Sequence, residues 1–174
     1  IAGLGNRGRL CYSECIKSFS DIAEIVAIAD IIPEKVAEAK HSFGIPDEMC
    51  FSSAEEMLEK DKLADAMFIC TQDRDHYNHS IPAMKKGYHL LLEKPVSPNL
   101  KELIEIYETS KEFDRKVVVC NVLRYTPFYQ KIKSIIDEGT LGDIITIQAI
   151  ENVGYYHQAH SFVRGNWNNS DITS

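Results

Sequence analysis

The sequence predicts a doubly wound α/β fold, a parallel sheet with helices on both faces, followed by the truncated start of an α+β domain. Three observations carry that reading. Short apolar runs alternate with helical segments from residue 1 to about residue 121. The runs are almost wholly apolar, as strands buried on both faces must be. The chain also opens on Ile1-Ala2 and then Gly3-Leu4-Gly5-Asn6-Arg7-Gly8, a G-x-G-x-x-G turn placed between a strand and a helix.

The elements follow in order. Ile1-Ala2 is the stub of a first strand, and a helix is expected from about Arg7 to Phe19. EIVAIADI (24–31) reads as the second strand. Pro33 suits the first position of a helix, which runs to Phe43 and stops at Gly44. A short strand is expected over Met49–Phe51, then a helix over 54–60 capped by Ser52 or Ser53. DAMFICT (65–71) is the next strand, and a helix over 76–86 ends at Gly87. HLLL (89–92) is a strand, 98–113 an amphipathic helix, and KVVVCN (116–121) the last strand of the unit.

Beyond Asn121 the character changes. A helix over 127–138 leads to a turn at Gly139 and Gly142. DIITIQAIE (143–151) alternates like a strand with one wet face. Two domains are therefore expected, 1–121 for a dinucleotide and 122–174 as the beginning of a second, sheet-containing domain that is cut off at Ser174.

Composition narrows the function classes. The chain has 174 residues, 44% hydrophobic and 26% charged, as in a soluble globular protein. A net charge of −7 speaks against a nucleic-acid partner, which a basic face would recruit. No apolar run is long enough for a membrane span. Five cysteines, odd in number and without a C-x-x-C pair, fit a reducing cytoplasm. His76 and His79, like His157 and His160, have H-x-x-H spacing, but no third ligand is marked, so no metal is expected.

Ligands of doubly wound folds bind beyond the carboxyl ends of the strands. That rule selects Gly3–Gly8, Asp30, Thr71–Asp73, Glu93–Lys94 and Asn121. The three glycines serve different ends. Gly3 makes the tight turn, Gly5 allows close approach of a pyrophosphate, and Gly8 allows helix–strand packing. The pyrophosphate would sit at the helix N-terminus, where free N–H groups favour negative charge. Asp30 lies 22 residues past Gly8. A carboxylate there accepts from the adenosine ribose hydroxyls and repels a 2′-phosphate, so NAD is expected rather than NADP. The competing role for Asp30 is an N-cap for the helix at Pro33. Lys94, if held partly out of water, would have a lowered pKa and could exchange a proton with a substrate hydroxyl while Glu93 orients it. The competing role is a surface lysine beside a rigid turn. Arg124 follows the junction at Asn121, and His157, Arg164 and Trp167 add groups that could grip or stack on a substrate.

Taken together, GLGNRG, VAIAD, CTQDRDH, LLLEKP and NVLRYTPFY resemble the Gfo/Idh/MocA oxidoreductases, and LGDI (141–144) resembles the step that opens their second domain. HSFVRGNW resembles a subgroup of sugar-type dehydrogenases. The resemblance implies a Rossmann domain over 1–121, the opening of a substrate and oligomerisation domain over 122–174, and an NAD(P)-dependent dehydrogenase acting on a sugar, cyclitol or related polyol. It implies a homo-oligomer when full length. An NAD-dependent glycoside hydrolase and a non-enzymatic NAD-binding sensor are the alternatives. It assigns Gly3, Leu4, Gly5, Asn6, Arg7 and Gly8 to the pyrophosphate and Asp30 with Ile31 to the adenosine ribose. Thr71, Gln72 and His76 would lie along the cofactor, with Asn121 beside it. Glu93, Lys94 and Pro95 would lie at the nicotinamide ribose, with Lys94 catalytic and its bond to Pro95 often cis. Thr71-Gln72-Asp73 departs from the commoner Thr-Pro-Asn. An Asp and a His of the second domain, expected to complete the catalytic set, would lie past Ser174.

Overall fold

The computed structural model describes residues 1–165 and 167–169; the last residues of the expected second domain lie outside the described residues. The chain divides into two compact units, Ile1–Cys120 and one that starts at Asn121.

The first unit is built on a parallel sheet. Its strands are β1 (Ile28–Ala29), β2 (Cys50–Phe51), β3 (Ala66–Ile69), β4 (His89–Leu92) and β5 (Val117–Val119). β1 pairs with β2, β3 with β4 and β4 with β5, all in parallel. Ala2 joins the two halves, bridging Ala29 on one side and Ile69 on the other. Its N–H donates to Phe68 O at 2.8 Å and its carbonyl accepts from Cys70 N at 2.8 Å. The order across the sheet is therefore β2–β1–Ala2–β3–β4–β5. With Ala2 counted as the first strand this is the 3-2-1-4-5-6 order of a Rossmann fold, which reverses direction between Ala2 and β3.

Helices cover the sheet as the alternation of strand and helix requires. They are α1 (Glu14–Ser18), α2 (Pro33–Phe43), α3 (Ala54–Glu59), α4 (His76–Lys85) and α5 (Leu100–Glu112). Pro33 opens α2 and Gly44 closes it in the left-handed conformation, φ 68°. Ser53 caps α3, accepting from Glu56 N at 3.1 Å, while the Glu56 carboxylate accepts from Ser52 N at 2.8 Å. That reciprocal pattern is a variant of the capping box. The main core gathers Ala2, Ala29, Phe51, Met57, Met67, Ile69, Met84, Leu90, Leu92 and Ile106 from both faces of the sheet.

Three local expectations are corrected. The run 24–31 pairs only at Ile28–Ala29, because a strand is as long as its ladder, and here one neighbour supplies Ala2 and the other two residues. The first helix begins as a π-helix, Asn6–Ser13, before α1. Ser13 is fully buried there and its hydroxyl donates to Gly8 O at 2.7 Å, a side-chain bond across the wider turn. The expected strand over 143–151 has no regular structure, and Ile144, Ile145, Ile147 and Ile150 are exposed. No strand pairs with it among the described residues, and an unpaired strand leaves its backbone groups and apolar face without partners.

The second unit also contains α6 (Pro127–Asp137), a turn with positive φ at Gly139 and Gly142, α7 (Tyr155–His157) and a π-helical turn Gln158–Val163. Among the described residues no helix is long and apolar enough to cross a membrane.

Ser80 is the one buried side chain whose polar atom meets no hydrogen-bond partner among the described residues. It is fully buried on α4. A desolvated, unpaired hydroxyl costs about 1–3 kcal/mol. Ser80→Ala is expected to leave stability unchanged or raise it by about 1 kcal/mol. Urea unfolding followed by circular dichroism checks this; a clear fall in the midpoint would show a bond that the geometry lacks.

Candidate functional site

The glycine turn sits where the strand order reverses, at the end of the Ala2 strand. Gly3 has φ +88°, and a Cβ on it would collide with the Cys70 carbonyl and come within 2.7 Å of Thr71 N. A Cβ on Gly8 would collide with the Gly3 carbonyl. Both glycines are therefore demanded by the protein's own packing. Gly5 is different: a Cβ there would meet nothing within 4 Å. Its bareness serves no internal contact. The helix that follows has no side-chain cap and no acid in its first turn. Uncapped N–H groups beside a bare backbone form a cradle for an anion, and these residues fit the pyrophosphate of a dinucleotide.

Asp30 ends β1 and its side chain is 7% exposed. Oδ2 accepts from Leu4 N at 2.6 Å and Oδ1 from Ile32 N at 2.9 Å. The carboxylate thus ties the glycine turn to the strand end. It does not cap α2, whose N-cap is Ile32 without a side-chain bond. Two of its roughly four acceptor positions are used, and the others remain for hydroxyl donors. Lys35 Nζ stands 3.9 Å away. Ile31, next along, is exposed.

Glu93 follows β4 and is buried. Tyr12, on the helix after the glycine turn, donates its hydroxyl to Glu93 Oε1 at 2.5 Å. The Tyr12 ring stands edge-on to Phe68 at 5.8 Å. Arg7 Nε lies 3.9 Å from the same oxygen, and Lys94 N donates to Oε2 at 3.2 Å. Burial, Cys120 and Glu93 together raise the Tyr12 phenol well above its ordinary range, so it remains a donor. Burial, followed by the Glu93 charge, pushes the Cys70 thiol up to about 12, and burial raises Cys120. Neither thiol is poised as a nucleophile.

Lys94 is exposed, and its ammonium has no partner among the described residues. The expectation that it is held partly out of water is not met within this unit, because Glu93 turns inward to Tyr12 and Lys94 turns out. The Lys94–Pro95 bond is cis.

His76 is 1% exposed. Its Nδ1 lies 2.8 Å from Pro95 O and its Nε2 3.2 Å from Thr71 O. Both ring nitrogens face backbone carbonyls, and a neutral imidazole, with one N–H, donates to one of them. The ring stands between the Lys94–Pro95 segment and the end of β3. His79 is buried too, with Nδ1 3.0 Å from Thr71 Oγ1 and Nε2 2.9 Å from Glu55 Oε1. Gln72 is half-buried at the N-terminus of a short 3₁₀ turn, Asp73–Asp75.

The structure thus gathers Gly3–Gly8, Asp30, Thr71 and Glu93 at one end of the sheet. Asn121 and Arg124 are exposed in the second unit, Asn121 as the N-cap of the 3₁₀ turn Val122–Tyr125 and Arg124 within it. His157 stands edge-on to Phe162 at 6.0 Å, Arg164 is exposed and Trp167 half-buried. No hydrogen bond or ion pair joins the side chains of Arg124, His157, Arg164 and Trp167 to one another among the described residues. Sequence reasoning missed Tyr12 and Glu55. Tyr12 had a signal, since it lies four residues past Gly8, on the helix face that Gly8 turns to the sheet. Glu55 had none.

Residues 1–121 match the Gfo/Idh/MocA oxidoreductase family, NAD-binding Rossmann fold. The chain belongs to this family. A myo-inositol 2-dehydrogenase of Thermotoga maritima is 28% identical, over 82% of this chain and 41% of that protein. A glycosyl hydrolase family 109 protein of Porphyromonas gingivalis is 26% identical, over 97% of this chain and 36% of that protein. Among solved structures, the WlbA dehydrogenase of Bordetella pertussis, in complex with NADH and UDP-GlcNAcA, is 26% identical with a TM-score of 0.73. The alignment covers 80% of this chain and 41% of WlbA. The chain therefore spans well under half the length of these relatives.

Proposed function

We propose that this chain is the cofactor-binding part of an NAD-dependent oxidoreductase that moves a hydride between nicotinamide and a carbinol carbon of a sugar, cyclitol or related polyol. The observation that carries it is the contrast among the three glycines. Two are required by packing, and Gly5 alone is bare toward solvent, with the Asp30 carboxylate bonded to the same turn.

Bound NAD would supply the hydride acceptor, its nicotinamide C4. The chain's own residues would do the rest. The backbone around Gly5 and the first helical turn would hold the pyrophosphate, with Asn6 and Arg7 beside it. The free acceptor positions of Asp30 would take the adenosine ribose hydroxyls, and the same negative charge disfavours a 2′-phosphate. Glu93, fixed by Tyr12, would hold the backbone of Lys94 at the nicotinamide ribose. Lys94 would exchange the proton of the substrate hydroxyl, since hydride and proton leave together when an alcohol becomes a ketone. The unit that starts at Asn121 would open the substrate and oligomerisation domain, with Arg124, His157, Arg164 and Trp167 as substrate contacts.

Calorimetry tests the cofactor site. NAD is expected to bind this chain more tightly than NADP, and Asp30→Ala to weaken NAD by about tenfold or more through lost ribose bonds and a loosened turn. Equal affinity in the two proteins would sink the assignment of Asp30.

A second reading is favoured by one observation, the likeness to the Porphyromonas gingivalis glycosyl hydrolase over 97% of this chain. It is glycoside cleavage through transient oxidation of the sugar by the same cofactor. Release of the leaving group without accumulation of NADH in the longer protein would select it.

A further inference from the structure

Three groups from three elements form a hydrogen-bonded chain that no part of the proposed reaction uses. Glu55 stands in the first turn of α3 with its side chain 67% exposed. His79, on α4, has a side chain 4% exposed. Thr71 follows β3 at the carboxyl end of the sheet and is half-buried. Glu55 Oε1 is 2.9 Å from His79 Nε2, and His79 Nδ1 is 3.0 Å from Thr71 Oγ1.

We propose that Glu55 and His79 are positioning residues that set the hydrogen-bond polarity of Thr71, so that its hydroxyl spends its proton on His79 and offers only lone pairs to a ligand. The argument follows from donor counting. An ionised carboxylate can only accept. The bond from His79 holds the Glu55 carboxyl down at about 2, so it stays ionised across the neutral range. The proton of the neutral imidazole therefore lies on Nε2, facing Glu55. Nδ1 is then an acceptor, as when a carboxylate fixes the tautomer of a metal-bound histidine. Among the described residues the donor that faces Nδ1 is the Thr71 O–H.

The consequence is a selectivity at Thr71. A ligand group that donates, such as a ribose hydroxyl or a carboxamide NH2, is accepted there. A group that only accepts, such as a phosphate oxygen, meets lone pairs. On the dinucleotide reading, on which this part rests, Thr71 faces the nicotinamide riboside half and not the pyrophosphate.

The test has two arms. In the first, 15N-histidine-labelled chain at pH 8 is observed by long-range proton–nitrogen correlation, with His79 assigned by its loss in His79→Asn. A single Nε2–H tautomer is expected, giving way to a mixture in Glu55→Ala, a variant at an exposed site that should fold. An Nδ1–H tautomer or a doubly protonated ring would overturn the proposal, whatever the protein binds. In the second arm, NAD affinity is measured by calorimetry. Glu55→Ala is expected to weaken it about fivefold, the size of one ordinary hydrogen bond. The same substitution should do nothing in the Thr71→Val background, and Thr71→Ser should keep the sensitivity. An equal loss in both backgrounds would overturn the proposal. Absence of NAD binding by the unaltered chain would instead sink the cofactor reading, and the tautomer spectrum would still decide the hydrogen-bond chain.

Discussion

Gly8→Ala is expected to destabilise the protein by about 3 kcal/mol or more, while Gly5→Ala changes stability by less than about 0.5 kcal/mol. A Cβ on Gly8 would run into the Gly3 carbonyl, which is backbone and cannot swing aside like a side-chain end. Gly3 is itself fixed, since its N–H donates to Ala29 O at 2.8 Å and its φ is +88°. Relief of the clash would require the helix to lift from the sheet and open the contact that Gly8, a buried residue, makes with the strand end. Gly3→Ala should do comparable damage by adding a left-handed strain to a collision with Cys70. Gly5→Ala meets open space, so its cost should appear as loss of NAD affinity, where the new methyl stands in the way of the pyrophosphate. Urea unfolding and calorimetry on the three variants separate the two effects. A Gly5→Ala protein that bound NAD as tightly as the parent would remove Gly5 from the site.

On the proposed function, Lys94→Ala made in a full-length protein carrying this sequence is expected to cut turnover of a polyol substrate by about 10²- to 10⁴-fold. The glycine turn and Glu93 should keep their places, because no hydrogen bond or ion pair holds the Lys94 ammonium within the described chain. Lys94→Arg should not rescue turnover, since a guanidinium does not release its proton in proteins. The effect should fall on kcat and on the pH–rate profile rather than on the fold, as Lys94 is exposed in this unit. Steady-state kinetics over a pH series checks this, and unchanged turnover would remove the assigned role. Glu93→Gln makes a useful companion. It weakens the acceptor for the Tyr12 hydroxyl and should loosen the segment that carries Lys94.

Much of the frame was legible because it rests on local rules. The parallel sheet followed from apolar runs alternating with helices, and the ends of α2 from the fixed φ of Pro33 and the backbone freedom of Gly44, each a property of the residue itself. The glycine motif was legible for the same reason, since the lack of a Cβ is written in the residue name. The strand over 143–151 was misread because alternation shows only a preference for a ladder. Whether a ladder forms depends on a partner strand, and none pairs with it among the described residues.

The site divides along the same line. Gly3, Gly5, Gly8, Asp30 and Glu93-Lys94 announce themselves, because each stands at the end of an apolar run where a sheet must stop and a ligand can enter. Tyr12 and Glu93 are 81 residues apart, and Glu55 and His79 are 24. Pairs so distant meet only because the folded sheet brings Tyr12 against Phe68 and Glu93 and sets α3 against α4. Residue identity therefore settles which atoms are available for chemistry, and the packing of the sheet settles which donor faces which acceptor. That second choice turned Glu93 inward, left Lys94 outward, and gave Thr71 a histidine to which it can hand its proton.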